Sequence, residues 1–126
     1  MAHHDNEILR KEWNKKEGPI VFSTVDSSGH PNSVYVMIAE ISKDGKIVLA
    51  DNHFKKTKIN ILKGSKASVL FMTRDGKPIQ VKGTVAYDES GEYFQFMKSW
   101  NPGQHPGNAA VVISVEQIYS GSDQLL

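Results

Sequence analysis

The segment with the clearest chemical potential follows the apolar run at residues 47–50 and opens a helix-like pattern. Its first turn carries Lys55, Lys56 and Thr57, and the first turn of a helix leaves backbone N–H groups unpaired and partly positive. Two ammonium groups and a hydroxyl beside such amides suit a dianionic phosphomonoester. The alternative is that the lysines form only the solvated face of a helix, as most helical lysines do.

No other segment has the residue spacing of a familiar metal or catalytic site. The five histidines include no His-Glu-x-x-His pattern, and neither a Gly-x-Ser-x-Gly elbow nor a phosphate-binding Gly-x-x-x-x-Gly-Lys loop occurs. We therefore predict no metal site, and hydrolase or nucleoside-triphosphatase activity is disfavoured. His53 and His105 are available as proton donors, although a single histidine in a loop is more often an ordinary polar residue. His3 and His4, as native residues or as the remnant of an expression tag, are left out of the candidate sites.

Composition narrows the class of protein. The chain has 126 residues, a formal net charge of +1 and no cysteine. The near-neutral balance argues against nucleic-acid binding, and the absence of cysteine removes any need for an oxidising compartment. The apolar runs are of strand length, and the first residues do not read as a signal peptide. We expect one domain over residues 1–126, with loose termini at 1–5 and 120–126, in the cytoplasm and without a membrane span.

Short strands joined by turns are predicted to position the candidate residues. Strands are predicted at residues 20–25, 33–41, 47–50, 67–73, 79–87 and 109–115, and helices at 6–16, 55–63 and 89–100. Asp75-Gly76 marks a tight hairpin, and Gly83 predicts a bulge or a sharp bend. Six strands with two or three short helices predict a mainly β fold, a small closed antiparallel barrel that leaves no exposed edges.

Two of the predicted strands are apolar on both faces, although hairpin spacing implies an antiparallel sheet with one wet face. Residues 33–41 and 109–115 both show this pattern. A ligand or a second subunit is the natural cover for the additional face. The stripe formed by Tyr93, Phe96, Met97 and Trp100 is interpreted as core packing.

Three segments in this order resemble the pyridoxamine 5′-phosphate oxidase-like family of FMN-binding split β-barrels, and especially its short members. The segment 29–36, Gly-His-Pro-Asn-Ser-Val-Tyr-Val, is similar to the family's Gly-x-Pro turn and second strand. The segment 55–60, Lys-Lys-Thr-Lys-Ile-Asn, resembles its phosphate-binding helix start. The segment 81–86, Val-Lys-Gly-Thr-Val-Ala, resembles its fifth strand with the recurrent glycine.

The resemblance implies a six-stranded antiparallel split β-barrel of Greek-key type, forming a homodimer with FMN at the subunit interface. Lys56 and Thr57 would hold the phosphate, with Lys55 and Asn60 assisting. The residues implied at the ring and ribityl chain are Asn32, Ser33, Val34, Tyr35 and Val36, followed by Ala50 and Asp51. Trp100 would lie near the flavin, from the same or the partner subunit, unless it belongs only to the aromatic stripe.

The chain also departs from the family pattern. Arg10 and Arg74 are its only arginines, so we expect it to lack the arginine-rich substrate region of pyridoxamine 5′-phosphate oxidase itself. The resemblance then implies an FMN-dependent oxidoreductase that acts on another small molecule, with a nicotinamide or deazaflavin donor. The alternatives are a non-catalytic electron carrier or FMN-binding module, or a split barrel that binds haem, deazaflavin or no cofactor.

Overall fold

A computed structural model describes the backbone of residues 2–126 and the side chains of residues 7–126. Over that range the chain forms three helices and eight strands: α1 (Ala2–Trp13), β1 (Lys16–Val25), β2 (Pro31–Val36), β3 (Ala39–Ile41), β4 (Ile47–Asp51), α2 (Lys56–Leu62), β5 (Ala67–Thr73), β6 (Pro78–Asp88), α3 (Glu92–Trp100), β7 (Ala109–Ser120) and β8 (Asp123–Gln124). The prediction that residues 1–5 are loose lies partly outside the described residues, because the description excludes Met1 and the side chains of residues 2–6.

All strands belong to one curled antiparallel sheet with the order β2-β1-β5-β6-β7-β4-β3, and β8 pairs with β7. The predicted split β-barrel of Greek-key type is confirmed, but the prediction of six strands was too low, and the sheet is not closed as predicted, since β2 and β3 are its edges. The apolar run 33–41 breaks after Val36, so β2 pairs with β1 at one edge and β3 with β4 at the other. The tail after Ser120, predicted to be loose, instead contributes the short strand β8.

The main core lies inside the curled sheet and is closed by α1. Alternate residues of the strands point into it, including Ile20 and Phe22 of β1 and Val69 and Phe71 of β5. Trp13 of α1 packs edge-on against Phe71, with ring centroids 5.2 Å apart. Burial of these large side chains is the main term that stabilises the fold.

A second apolar cluster explains why β4 and β7 are buried on both faces. Met97 of α3 is fully buried against Val48, Ala50, Ala110 and Val112. The additional cover over the apolar strand that starts at Ala109 is therefore a helix of the same chain. The interpretation of the aromatic stripe as packing is confirmed, since Tyr93, Phe96 and Trp100 surround this cluster.

The predicted irregularity at Gly83 is a register shift between β6 and β7. Lys82 pairs with Gln117 and Gly83 with Val115, so Glu116 is an extra residue on β7. A Cβ atom on Gly83 would overlap the backbone carbonyl oxygen of Ser114. Only glycine therefore allows the two strands to approach this closely.

Candidate functional site

The turn that leads from β4 into α2 is held by Asp51. One carboxylate oxygen accepts the backbone N–H of Phe54 at 2.8 Å, and the other accepts the Tyr87 hydroxyl at 2.5 Å. Desolvation, followed by the hydrogen bond to Asp51, raises the pKa of the Tyr87 phenol. Because Asp51 is only 1% exposed, the structure gives this predicted site residue a positioning role.

A cluster of small polar side chains connects β1, β2 and α2. The Asn32 amide donates to the Thr57 hydroxyl at 2.9 Å, and the Asn60 amide donates to the Thr24 hydroxyl at 3.0 Å. Thr57, Asn60 and Thr24 are all buried. Thr24 was not predicted as a site residue. The sequence does mark it, because the alternation of Ile20 and Phe22 places residue 24 on the inner face, where an apolar side chain would be expected.

An open cavity of about 350 Å³ lies beside this cluster. It is lined by Asp26, His30, Pro31, Asn32, Lys56, Ile59 and Asn60. We call it the polar cavity. It brings together three of the predicted site residues, Asn32, Lys56 and Asn60, while Thr57 reaches it only through its bond to Asn32. Lys55 is the exposed N-cap residue of α2 and does not line the cavity.

The polar cavity carries charges of both signs. The exposed Lys56 contributes an ammonium group, whereas Asp26 contributes a carboxylate. That carboxylate accepts the backbone N–H groups of His30 at 2.8 Å and Ser28 at 2.9 Å. The bond from His30 is the main cause that lowers the pKa of Asp26. The carboxylate of Asp26 therefore stabilises the turn in which Asp26 itself lies.

A second cavity, of about 340 Å³, lies farther along β2. It is lined by Val34, Tyr35, Val36, Met37, Ile38, Ala50, Asn52, His53, Phe54 and His105. We call it the apolar cavity. It contains four of the predicted site residues, Val34, Tyr35, Val36 and Ala50. The strand β2 is at the edge of the sheet, so on the side away from β1 its backbone N–H and C=O groups have no strand partner.

The pleat of β2 divides its side chains between two surfaces. Asn32, Val34 and Val36 are half-buried on the inner face, whereas Ser33 and Tyr35 point outward. Ser33 forms a hydrogen bond with Ser23 at 2.8 Å on that outer face. Of the five consecutive residues predicted at the ring and ribityl chain, Ser33 alone lines neither cavity, whereas Tyr35 lines the apolar cavity although it is on the outer face.

Among the predicted site residues, Trp100 lies closest to Ala50, because it packs against the cluster that contains this alanine. It packs edge-on against Phe96, with centroids 5.9 Å apart, and lines neither cavity. Its indole Nε1 is buried and has no hydrogen-bond partner among the described residues. Within one chain, Trp100 therefore belongs to the cluster under α3.

The loop at residues 101–108 forms one wall of the apolar cavity because it is bonded to the turn after β4. The side-chain amides of Asn52 and Asn101 bond each other, and the Asn52 oxygen also accepts the Gly107 N–H at 2.9 Å. The Asn108 N–H donates to the Asp51 carbonyl at 2.8 Å. This arrangement places His105 beside His53, and the sequence analysis did not foresee it.

In residues 7–126, no cluster of three or more histidine, aspartate and glutamate side chains could hold a metal ion. Among the helices that the structure describes, none has the length and apolar character needed to cross a membrane. The groups that line the two cavities include the Lys56 ammonium, the Asp26 carboxylate, the imidazoles of His30, His53 and His105, hydrogen-bonding amides and apolar side chains.

The curled antiparallel sheet defines a split-barrel protein, and two of its cavities lie along an edge strand. The pyridoxamine 5′-phosphate oxidase family model matches residues 9–120, and the chain belongs to this family. An uncharacterized protein, MJ0282 of Methanocaldococcus jannaschii, is 32% identical over 111 residues, which cover 82% of this chain and 74% of that protein.

Solved structures share the fold at lower identity. An FMN-binding protein from Syntrophomonas wolfei subsp. wolfei is 24% identical with a TM-score of 0.78, over 97% of this chain and 89% of that chain. General Stress Protein 26 from Bacillus anthracis str. Sterne is 19% identical with a TM-score of 0.73, over 97% and 98% of the two chains. HupZ of Group A Streptococcus is 23% identical with a TM-score of 0.72, over 95% and 93%.

Proposed function

We propose that this protein binds FMN and is an FMN-dependent oxidoreductase acting on a small molecule. The observation that carries the proposal is the path of edge strand β2, whose inner face changes from polar Asn32 to apolar Val34 and Val36. At about 3.3 Å per residue, Asn32 in the polar cavity and Val36 in the apolar cavity lie roughly 13 Å apart along the strand. A ligand with an anionic tail and a flat apolar ring would match this change.

The residues at the polar end fit a phosphate. The Lys56 ammonium faces the same cavity as the Asn32 and Asn60 amides. Thr57 holds the Asn32 amide, and Lys55 contributes a second positive charge at the start of α2. Charge-assisted contacts of this kind are the stronger class of hydrogen bond.

The residues at the apolar end fit a flat ring. Val34, Val36, Ala50 and Phe54 supply apolar contact, and the unpaired backbone of β2 supplies donors and acceptors at the ring edge. Ligand sites commonly combine such an apolar lining with a few polar groups. The family membership and the FMN-binding relative from Syntrophomonas wolfei support the same cofactor.

We further propose a homodimer, because one face of the sheet has no cover in the single chain. Tyr35 lies opposite Val21, and Val21 lies opposite Leu70, so an apolar row crosses β2, β1 and β5. Tyr35 is 78% exposed and Met37 is 70% exposed. Contiguous exposed apolar surface of this kind is typical of an interface. Trp100 would approach the flavin from the partner subunit, since it lines neither cavity of its own chain.

Bound FMN would supply the electron-transfer chemistry, and the protein would contribute binding, orientation and access. Within that division, Lys56 and the polar cluster hold the anionic tail, and β2 with Ala50 orients the ring. None of the described residues is assigned as an obligatory acid or base. We propose that the electron donor is a small molecule, a nicotinamide or a deazaflavin, and we specify no substrate at this point. The cysteine-free chain is compatible with a cytoplasmic location.

The phosphate assignment is tested by comparing FMN with riboflavin, which lacks the phosphate. Lys56→Ala should weaken FMN binding by roughly 10- to 150-fold, the equivalent of about 1.5–3 kcal/mol for a charge-assisted contact, and leave riboflavin affinity unchanged. Lys63→Ala, at the other end of α2, is the matched control and should alter neither affinity. Equal losses for both flavins, measured by fluorescence quenching, would contradict a phosphate contact at Lys56.

Turnover separates the enzyme from a non-catalytic carrier. The FMN-loaded protein should be reduced rapidly by NADH, NADPH or a reduced deazaflavin under anaerobic conditions and reoxidised by an added small acceptor. Stopped-flow absorbance of the flavin measures both steps. If no soluble donor reduces the flavin, whereas a reduced protein partner does, the carrier assignment replaces the enzymatic one.

A further inference from the structure

We propose that His53 and His105 together form a binding site for the carboxylate of a small planar substrate at the rim of the apolar cavity. The inference rests on the proposed function in one respect, because the ligand is taken to be the substrate that meets the flavin. It adds the chemical class of that substrate and the two residues that recognise it.

The two imidazoles are adjacent although they come from separate loops. Their ring centroids are 6.3 Å apart, with the planes at 87°. His53 lies in the turn after β4, and His105 lies in the loop that precedes β7. Both line the apolar cavity, so the pair faces the space next to Val36 and Ala50.

The pair is held in place by the loop contacts around Asn52. The Asn52 side chain forms hydrogen bonds with the Asn101 amide and with the Gly107 N–H. Asn101 and Gly107 lie on either side of His105 in the sequence. The His105 N–H itself donates to the Pro102 carbonyl at 3.0 Å, which tightens the loop from within. The position of His105 relative to His53 is therefore determined by hydrogen bonds at both ends of the loop.

Neither imidazole has a hydrogen-bond partner among the described residues, and both are accessible from the cavity. A neutral imidazole offers one N–H donor, and a protonated one offers two. The only other titratable group in the cavity lining is the Tyr35 phenol, and no carboxylate lines it. The cavity thus offers donors and no anionic acceptor, which favours a ligand that brings its own acceptor oxygens.

The remainder of the lining limits the size of that ligand, because the flavin ring is proposed against several of the same side chains. Val34, Val36, Ile38 and Phe54 are apolar, and they surround a space of about 340 Å³. This volume is at the lower end of the range for small-molecule sites. With the flavin ring proposed against Val34, Val36 and Ala50, a small flat substrate with one carboxylate would lie at the rim of the cavity, with its oxygens at the two histidines.

The test uses benzoate as the probe and the imidazole NMR signals of the isotopically labelled, FMN-loaded protein as the readout. Benzoate should shift two histidine signals, which are identified by their loss in His53→Gln and His105→Gln. Each substitution should raise the dissociation constant for benzoate at least tenfold. Gln104→Ala, an exposed residue of the same loop, is the control and should change the constant less than twofold. Benzyl alcohol, which lacks the carboxylate, should bind at least tenfold more weakly than benzoate.

The inference is overturned if benzoate shifts neither signal, or if both histidine variants bind it within twofold of the wild type. Failure of the proposed function has a different signature. In that case FMN does not bind to the wild type, whereas the same titration of the flavin-free protein still reports on the two histidines. The FMN affinity of each variant is measured in parallel, because both histidines line the cavity proposed for the flavin ring, and the dissociation constants for benzoate are compared at FMN saturation.

Discussion

The side-chain amides of Asn52 and Asn101 donate to each other at 3.1 and 3.0 Å, across 49 positions of the chain. A reciprocal pair of this kind satisfies a donor and an acceptor on each residue. The Asn52 oxygen also accepts the Gly107 N–H, so the orientation of its amide is determined. This contact joins the turn before α2 to the loop before β7.

Asn101→Asp should destabilise the protein by about 1–3 kcal/mol, because it removes one donor and places a carboxylate against the Asn52 oxygen. Rotation of the Asn52 amide would not relieve this, since it would forfeit the bond from Gly107. Urea unfolding followed by circular dichroism measures the change. Asn108→Ala is the control, because that exposed amide has only a 3.5 Å contact, and its effect should be within about 0.5 kcal/mol. Similar losses for the two variants would contradict a special role for the reciprocal pair.

Gly83→Ala should destabilise the protein by about 3 kcal/mol or more, because the added methyl group would overlap the Ser114 carbonyl at the bulge. The matched substitution is Gly103→Ala, where a Cβ would meet nothing within 4 Å. That variant should be neutral or slightly more stable, since alanine restricts the unfolded chain. Chemical unfolding of the pair compares the same added methyl group in two environments. A Gly83→Ala protein as stable as the wild type would show that β6 and β7 can separate at no cost.

Ionisation of the Tyr93 phenol should lower the stability of the protein at high pH. The hydrogen bond to Asp44, followed by desolvation, raises the pKa of Tyr93 from 10.0 to about 12. Because the folded-state pKa is the higher one, the neutral phenol contributes its full stabilisation below pH 10.0, and this is lost as the pH rises towards about 12. Tyr93→Phe retains the ring under Lys46 but removes this titration.

Urea midpoints measured between pH 8 and 12 test this linkage. Tyr93→Phe should be the less stable protein at pH 8, and the difference from the wild type should shrink with rising pH. Tyr87 is present in both proteins, so its own titration cancels in the comparison. A difference that stays constant across the range would show that Tyr93 acts only through packing.

Leu70→Glu should prevent the proposed dimer, because it places a carboxylate at the β5 end of the apolar row that joins Tyr35, Val21 and Leu70. Leu125→Glu is the control, since that leucine is also exposed but lies on the C-terminal tail. Sedimentation velocity should show a dimer for the wild type and for Leu125→Glu, and a monomer for Leu70→Glu. A wild-type monomer at micromolar concentration would rule out the dimer.

The features that could be predicted from the sequence are those with local causes. The strand at Ala67–Thr73 was predicted with the same limits that the structure has, because its ends are marked by the glycine turn before it and by Asp75-Gly76 after it. In that hairpin the Thr73 hydroxyl donates to Asp75, and Gly76 adopts a positive φ of 84°. The bulge at Gly83 was also predictable, since an isolated glycine in a strand pattern rarely has another cause.

The candidate site was predictable only in part. Lys56 and Asn60 lie one turn apart on α2, so their proximity is local, whereas Asn32 of β2 joins them in the polar cavity only through the tertiary structure. Asp51 followed the same strand-end pattern, but its side chain turns inward to Tyr87, a residue in a distant strand. Nothing in the residues around Asp51 indicates that partner.

The sequence by itself determined the strands, their turns and the family of the chain, because alternation, turn residues and short motifs depend on neighbours a few positions apart. Only the tertiary structure decided that α3 covers β4 and β7, that Trp100 packs under that helix, and that His53 meets His105. Each of these contacts joins segments that are far apart in the chain. Their energies come from packing and hydrogen bonds that exist only after the sheet has curled, so no local pattern encodes them.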